Sequence, residues 1–375
     1  MLLLAIIGVS LSIAYALVIG IYIYFWERLA LFQIPQNHVE TTQISVVIAA
    51  RNEALQIEAC LQSILHQSYP DNLFEVILID DHSTDTTAQI ASQIDAKNLT
   101  VIQLKEDSNG KKNALTKGIQ VAKGELIVTT DADCVAPKGW LSMLEAFYQE
   151  KKAKFIAAPV IFSNESNSIE YFQSLDFMGM MFITGAGIEG QFMNMSNGAN
   201  LAYPKSVYQE LNGFANVDHI ASGDDILFMQ KVAQVYPDDI HFIKNPSVAV
   251  QTQAMPNWNT FFQQRLRWGT KSAQYPEWKI TAILAIVFFF CWSILLSLVA
   301  IPFLGIPMAY LFIFLLFTKS IIDFVFLRKA SLFFRKEQLM KHFLIAQVYH
   351  IVYIALVGLA SNLIKTYEWK GRRVK

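Results

Sequence analysis

The fold class this 375-residue sequence predicts is an α/β domain on a mostly parallel sheet, joined to transmembrane helices. Three observations predict it. Short β-branched runs alternate with helical patterns between residues 44 and 250, the signature of a parallel sheet covered on both faces. Hydrophobic residues make up 53% of the chain and mean hydropathy is +0.33, too apolar for an ordinary soluble enzyme. Finally, two strand-like runs end in paired carboxylates, and in such sheets ligands bind beyond the carboxyl ends of the strands.

The stretch from Leu2 to about Trp26 carries no charge and exceeds the roughly 20 residues that cross a bilayer. It has no basic segment ahead of it and no small-residue cleavage site, so residues 1–27 are expected to form an uncleaved anchor. Ile44-Ser-Val-Val-Ile-Ala-Ala reads as a buried strand, followed by Arg51, Asn52 and Glu53 and a helical pattern on Ile57, Leu61, Ile64 and Leu65. Glu75-Val-Ile-Leu-Ile is a second strand running into Asp80 and Asp81, and Ser83, Thr84 and Asp85 suit the start of a helix over about 86–95. Val101-Ile-Gln-Leu is a third strand, a helix is expected around 111–122, and Leu126-Ile-Val-Thr leads to Asp131-Ala132-Asp133. Residues 251–279 read as interfacial helices, with Trp258, Phe261, Phe262 and Trp268 as an aromatic belt. Three more apolar stretches follow, about 280–301, 308–327 after a Pro302/Pro307 break, and 343–364, with a basic tail over 365–375.

The basic flanks orient the chain. Arg28 follows the first helix with no Lys or Arg before it, so the 44–250 domain is expected in the cytoplasm, at a bacterial inner membrane. The 328–341 loop, with five basic residues, then also falls inside. Lys365, Lys370, Arg372, Arg373 and Lys375 would land outside if 343–364 spans, so either the rule fails there or that segment is re-entrant or interfacial.

Net charge is −1, which gives no hint of nucleic acid, and Cys60, Cys134 and Cys291 form no disulfide or zinc pattern. No G-x-G-x-x-G follows the first strand and no G-x-x-x-x-G-K-[ST] occurs, so a dinucleotide fold and a P-loop both lack their phosphate cradles. The two acidic clusters carry more chemistry. Like charges this close raise each other's pKa and favour a divalent cation with oxygen ligands, Mg²⁺ or Mn²⁺. Between them Gly110-Lys111-Lys112 opens a basic helix able to approach a diphosphate. Further on come Gly223-Asp224-Asp225 and Gln264-Arg265-Leu266-Arg267-Trp268.

Taken in this order, the segments over about 44–270, with one anchor before and helices after, resemble a membrane-bound family 2 glycosyltransferase of the GT-A fold. The resemblance implies roles. Asp80 and Asp81, with Glu53 nearby, match carboxylates on the uracil and ribose side of a nucleotide sugar. Asp131 matches the first aspartate of a D-x-D, and Asp133 the residue that holds the cation bridging the diphosphate. Lys111 or Lys112 matches a lysine near the phosphates. Asp225, preceded by Asp224, matches the general base on the acceptor hydroxyl. Gln264, Arg267 and Trp268 match Q-x-x-R-W, at the pyrophosphate and acceptor. Gly198 and Asn200, in Asn197-Gly198-Ala199-Asn200, match an acceptor-side loop. Arg51 departs from the family's usual aromatic residue, and Asp224 from its commoner glutamate.

The implied reaction is inverting transfer from a nucleotide sugar, expected to be a UDP-sugar, in cell-envelope glycan or glycolipid biosynthesis. A membrane lipid or lipid-linked acceptor is favoured, because three helices after the domain are few for a translocating channel. A processive polysaccharide synthase, a catalytically silent scaffold or binding subunit, and a nucleotidyltransferase are the competing readings. His219 is read as an acceptor-loop or surface residue or, alternatively, part of the metal shell. Lys319 and Asp323, four apart in an apolar segment, are either a buried structural pair or part of a lipid or glycan path.

Overall fold

A computed structural model describes residues 1–106, 108–215, 223–272, 278–364, 367–369 and 372–374. His219 lies outside these, as do the side chain of Asp224 and the side chains of the tail. After helix α1 (Leu2–Arg28) come β1 (Ile44–Ala50), α2 (Ile57–Leu65), β2 (Phe74–Asp80), α3 (Thr87–Ser92), β3 (Leu99–Gln103), α4 (Lys111–Val121) and β4 (Leu126–Asp131). Then follow α5 (Trp140–Lys151), β5 (Phe155–Ala157), β6 (Val160–Ser163), α6 (Ser168–Glu189), β7 (Leu201–Pro204), α7 (Lys205–Glu210), α8 (Asp224–Val235), β8 (Ile240–Phe242) and β9 (Val250–Gln253). Seven strands form one sheet in the order β3-β2-β1-β4-β7-β5-β8. Only β7 runs antiparallel to its neighbours, so the mostly parallel expectation holds.

Register explains why the acidic clusters meet. Ala50 pairs with Asp80 on one side of β1, and Ala49 pairs with Asp131 on the other. Both carboxylates therefore stand at the same sheet edge, flanking one strand. The strands below them are almost wholly buried, with Val46, Ile48, Val76, Leu78, Ile127 and Val128 at 0% exposure. That run is apolar on both faces because helices cover both, as a parallel sheet requires.

The membrane part begins with α1 and continues through α9 (Trp258–Ser272), α10 (Trp278–Leu304), α11 (Ile306–Phe333) and α12 (Phe343–Leu363). Among the described residues, four helices (α1, α10, α11 and the 337–361 segment, which takes in most of α12) are long and apolar enough to cross a membrane. The expected Pro302/Pro307 break is centred on Gly305, whose φ of +74° suits glycine. Pro302 stays inside the last turns of α10, and Pro307 sits in the first turn of α11, where its missing N–H is no loss.

Two departures concern the end of the chain. The turn Glu337–His342 docks on the sheet domain: His342 stacks on Tyr171 with ring centroids 4.1 Å apart. Lys336 donates to the carbonyl of Phe162 at 2.6 Å and pairs with Glu165. From that dock α12 runs alongside α9 in the same direction. Trp258 meets Tyr349 (4.8 Å) and Phe261 meets Tyr353 (5.5 Å), and Gly269 faces Val357 and Ser361. Phe261 is thus a fully buried residue between α6, α9 and α12, not a member of an exposed aromatic belt.

Candidate active site

The sheet edge supplies the first half of the site. Asp80 is 2% exposed, with Oδ2 accepting from the Ser83 N–H at 3.2 Å. The Gly110 N–H donates to both oxygens of Asp81 at 3.1 Å, which ties the start of α4 to the end of β2. Arg51 donates to the carbonyls of Asp81 (2.6 Å) and His82 (2.9 Å) and so holds that turn. Glu53 donates its backbone N–H to Thr87 Oγ1 at 2.8 Å. Asp85 accepts from the Thr87 N–H at 3.0 Å and the Ala54 N–H at 3.1 Å, and with the Thr87 hydroxyl these contacts hold its carboxyl below the usual range against a burial penalty acting the other way.

On the other side of β1, Lys111 Nζ pairs with Asp131 Oδ1 at 2.6 Å. Lys112 is 7% exposed, and it is Lys111 that reaches the cavity wall described below. Asp131, Asp133 and Cys134 bring ligand atoms within 4.8 Å of one another. Burial and the adjacent Asp133 push the Cys134 thiol well up, which leaves the two carboxylates as hard oxygen donors. That donor set fits Mg²⁺ or Mn²⁺ better than a thiophilic ion.

The acceptor side closes on these groups through glycine. The Gly198 N–H donates to Asp225 Oδ2 at 2.8 Å. A Cβ added at Gly198 would stand 3.2 Å from Lys111 Nζ and 3.6 Å from Asp225 Cβ. Asp131, Lys111, Gly198 and Asp225 are therefore one contiguous cluster drawn from β4, α4, the loop before β7, and the start of α8. Asn200 departs from its expected role. It is 0% exposed, and its amide donates to the carbonyls of Pro159 (2.8 Å) and Val248 (3.0 Å) and accepts from Trp140 Nε1 (2.9 Å). Its side chain holds the scaffold behind the loop rather than lining the cavity.

A cavity of about 820 Å³ begins at this cluster. Asp131, Asp133 and Asp225 line it, with Gln264, Arg267 and Trp268 of α9 and Tyr15, Phe288 and Asp323 of the membrane helices. Two wall residues escaped sequence reasoning. Arg265, the second residue of Gln264-Arg-Leu-Arg-Trp, pairs with Asp176 of α6 at 2.8 Å, both nearly buried. Its guanidinium lies 4.4 Å from the Trp268 ring centre and 5.0 Å from that of Phe261. Burial pushes the Asp176 carboxyl up, opposed by Arg265. The available signal was a lone carboxylate inside the apolar run Phe172-Gln-Ser-Leu-Asp-Phe-Met.

Comparison with known proteins decides the family. Residues 45–211 match the glycosyl transferase family 2 model. These residues form a family 2 glycosyltransferase domain. A poly-β-1,6-N-acetyl-D-glucosamine synthase of Staphylococcus epidermidis is 24% identical over 333 residues, covering 84% of this chain and 77% of that protein. The glycosyltransferase AglE of Haloferax volcanii is 27% identical over 187 residues, 49% of this chain. The match spans about three fifths of that relative's own length, 59%. Among solved structures, the mannosyltransferase PcManGT of Pyrobaculum calidifontis, in complex with GDP-Man and Mn²⁺, superposes with a TM-score of 0.64. The alignment covers 95% of this chain and 99% of that one at 18% identity, a likeness of fold.

Proposed function

We propose that this family 2 glycosyltransferase moves a sugar, with inversion, from a nucleotide-diphosphate sugar to an acceptor on a membrane lipid or lipid-linked glycan. The observation that carries the reading is the cavity joining the carboxylate cluster to the membrane helices, walled largely by apolar side chains such as Phe172, Met180, Leu284 and Phe288. A lipid can enter such a cavity from the bilayer and present its head to Asp225. The donor is expected to be a UDP-sugar, its nucleoside held near Asp80, Asp81 and Glu53 and its diphosphate near Lys111 and Arg267.

Asp133, with Asp131, would hold the divalent cation, Mg²⁺ or Mn²⁺, which when bound neutralises charge on the diphosphate. Asp225, fixed by the Gly198 N–H, takes the proton from the acceptor hydroxyl as that oxygen attacks the anomeric carbon. Attack comes from the face opposite the leaving nucleoside diphosphate, so configuration inverts. Lys111 and Arg267 stabilise charge on the departing group. Trp268, packed on Arg265, helps exclude water from the reacting centre.

The topology we propose has three spans, α1, α10 and α11, with α12 lying beside α9 in the cytoplasmic leaflet. Two features support it: the dock of residues 336–342 on the sheet domain, and the shared course of α9 and α12. With α12 interfacial, the five basic residues of 365–375 remain on the cytoplasmic side, as the positive-inside rule prefers.

A processive synthase is the rival reading, favoured by the synthase relative that aligns with 84% of this chain. Product size separates the two. Purified protein in nanodiscs with Mg²⁺ or Mn²⁺, UDP- and GDP-sugars and membrane lipid extract is expected to yield a lipid carrying one added sugar. A ladder of products would establish the synthase instead.

A further inference from the structure

The membrane half of the cavity is not uniformly apolar. Where α1, α11 and α12 meet, Lys319, which is fully buried, pairs with Asp323, and Tyr15 donates to Asp323 as well. Gln347 Nε2 donates to Asp323 Oδ2 at 2.9 Å, and Lys319 Nζ lies 3.3 Å from His350 Nδ1. Gln347 and His350, one turn apart on α12, both face the cavity. Gln347 is 4% exposed, yet its Oε1 has no hydrogen-bond partner. The Arg265 Nε, on the same wall, has none either.

Two features define what fits here. The first is charge: Lys319 is matched by Asp323, and Arg265 by Asp176. Among the described residues, this part of the cavity holds no surplus cation for a phosphate, and a low dielectric punishes any unmatched charge. The second is hydrogen-bonding sense. An ammonium can only donate, so His350 Nδ1 accepts from Lys319 and the proton sits on Nε2. The wall therefore offers an acceptor, Gln347 Oε1, beside donors at His350 Nε2 and Arg265 Nε. Hydroxyl and ester oxygens suit such a wall, and a plain hydrocarbon chain does not.

Resting on the lipid-acceptor reading above, we propose that Gln347 and His350, backed by the Lys319–Asp323 pair, form a subsite for uncharged oxygen-bearing groups just below the acceptor's nucleophile. The acceptor class is then a glycerolipid-like molecule, whose backbone oxygens lie at that depth, or the same lipid already carrying a sugar. Polyprenyl phosphate, with only hydrocarbon beyond its phosphate, is disfavoured.

The test measures transfer by the full chain in nanodiscs, at saturating donor, to dioleoylglycerol, monoglucosyl-dioleoylglycerol, oleyl alcohol and a polyprenyl phosphate. A preference of about tenfold or more in kcat/KM for either glycerolipid over oleyl alcohol and polyprenyl phosphate is expected, and which glycerolipid leads identifies the source of the oxygens. Gln347→Leu is expected to raise the KM of the preferred glycerolipid about tenfold, the loss of one ordinary hydrogen bond, with donor KM at the wild-type value. Polyprenyl phosphate or oleyl alcohol serving equally well would overturn the subsite, and so would Gln347→Leu with unchanged acceptor KM. Because the acceptor series uses wild-type protein, it stands even if the variant fails to fold. Failure of the underlying transferase reading looks different: no acceptor in the series would be glycosylated at all.

Discussion

Gly198→Ala probes the centre of the site with three atoms added at one position. Its Cβ would stand 3.2 Å from Lys111 Nζ and 3.7 Å from Asp225 Oδ2. The first distance is tighter than an ordinary contact, so Lys111 or the Gly198 loop must give by a few tenths of an ångström. Lys111 is tied to Asp131 at 2.6 Å and Gly198 to Asp225 at 2.8 Å, so either adjustment shifts a carboxylate. Misplacing reacting groups by 1 Å can lower a rate about 10²-fold. A shift of about a third of that corresponds to a roughly three- to tenfold fall in kcat. Stability should change by less than about 1 kcal/mol, since no core packing is lost. The assay is steady-state transfer with donor and acceptor varied separately, alongside thermal unfolding. Wild-type kcat in the alanine variant would refute the proposed contact between Lys111, Gly198 and Asp225. A loss explained by unfolding would refute it too.

Other substitutions separate scaffold from chemistry. Asn200→Ala strips the Val248 carbonyl and the Trp140 indole of their partner, while the Pro159 carbonyl keeps the Val250 N–H; at roughly 1–3 kcal/mol per orphaned group, without full additivity, about 2–5 kcal/mol should be lost in denaturant titration. A loss under about 1 kcal/mol would show that the amide is not the clamp described. Asp176→Asn leaves Arg265 buried without its anion and should destabilise by about 3–5 kcal/mol, while the paired change Asp176→Leu with Arg265→Met should recover most of that. Equal instability of single and double variants would contradict the buried-pair account. The Glu165–Lys336 tether predicts a pH dependence: burial disfavours the Glu165 carboxylate, but hydrogen bonds from Lys336 and Ser174 outweigh it and hold the pKa below 4.5. A depressed carboxyl stabilises fully above its unfolded value and loses that contribution as pH falls through its folded one. The stability gap between wild type and Lys336→Met should be constant near neutrality and shrink below pH 4.5, and a gap that widens there would be the wrong sign.

Much of this arrangement was legible because it is local or set by register. Asp80 and Asp131 each end a β-branched run, and the parallel sheet then aligns the two ends across β1. Other parts were not legible, because their partners are remote in sequence. Nothing near Arg265 announces Asp176, 89 positions away, and the isolated amide of Asn200 looks like a ligand-binding group until Trp140, Pro159 and Val248 enclose it. Hydropathy alone gives Phe343–Leu363 the profile of a span, whereas its contacts with α6, α9, α10 and α11 are ones that no window of residues contains. The aromatic residues Trp258 to Phe262 misled for a similar reason: amphipathic helices look interfacial whether their apolar face meets lipid or, as at Phe261, another helix.

The most direct test of the central claim compares wild type with Asp225→Asn in lipid nanodiscs, reading the product by mass spectrometry and donor binding by calorimetry with and without EDTA. The account predicts a one-sugar lipid product from wild type, a loss of about 10²–10⁴-fold in the variant, and cation-dependent donor binding retained in both. Product formation by Asp225→Asn at the wild-type rate, or donor binding and transfer indifferent to EDTA, would contradict it.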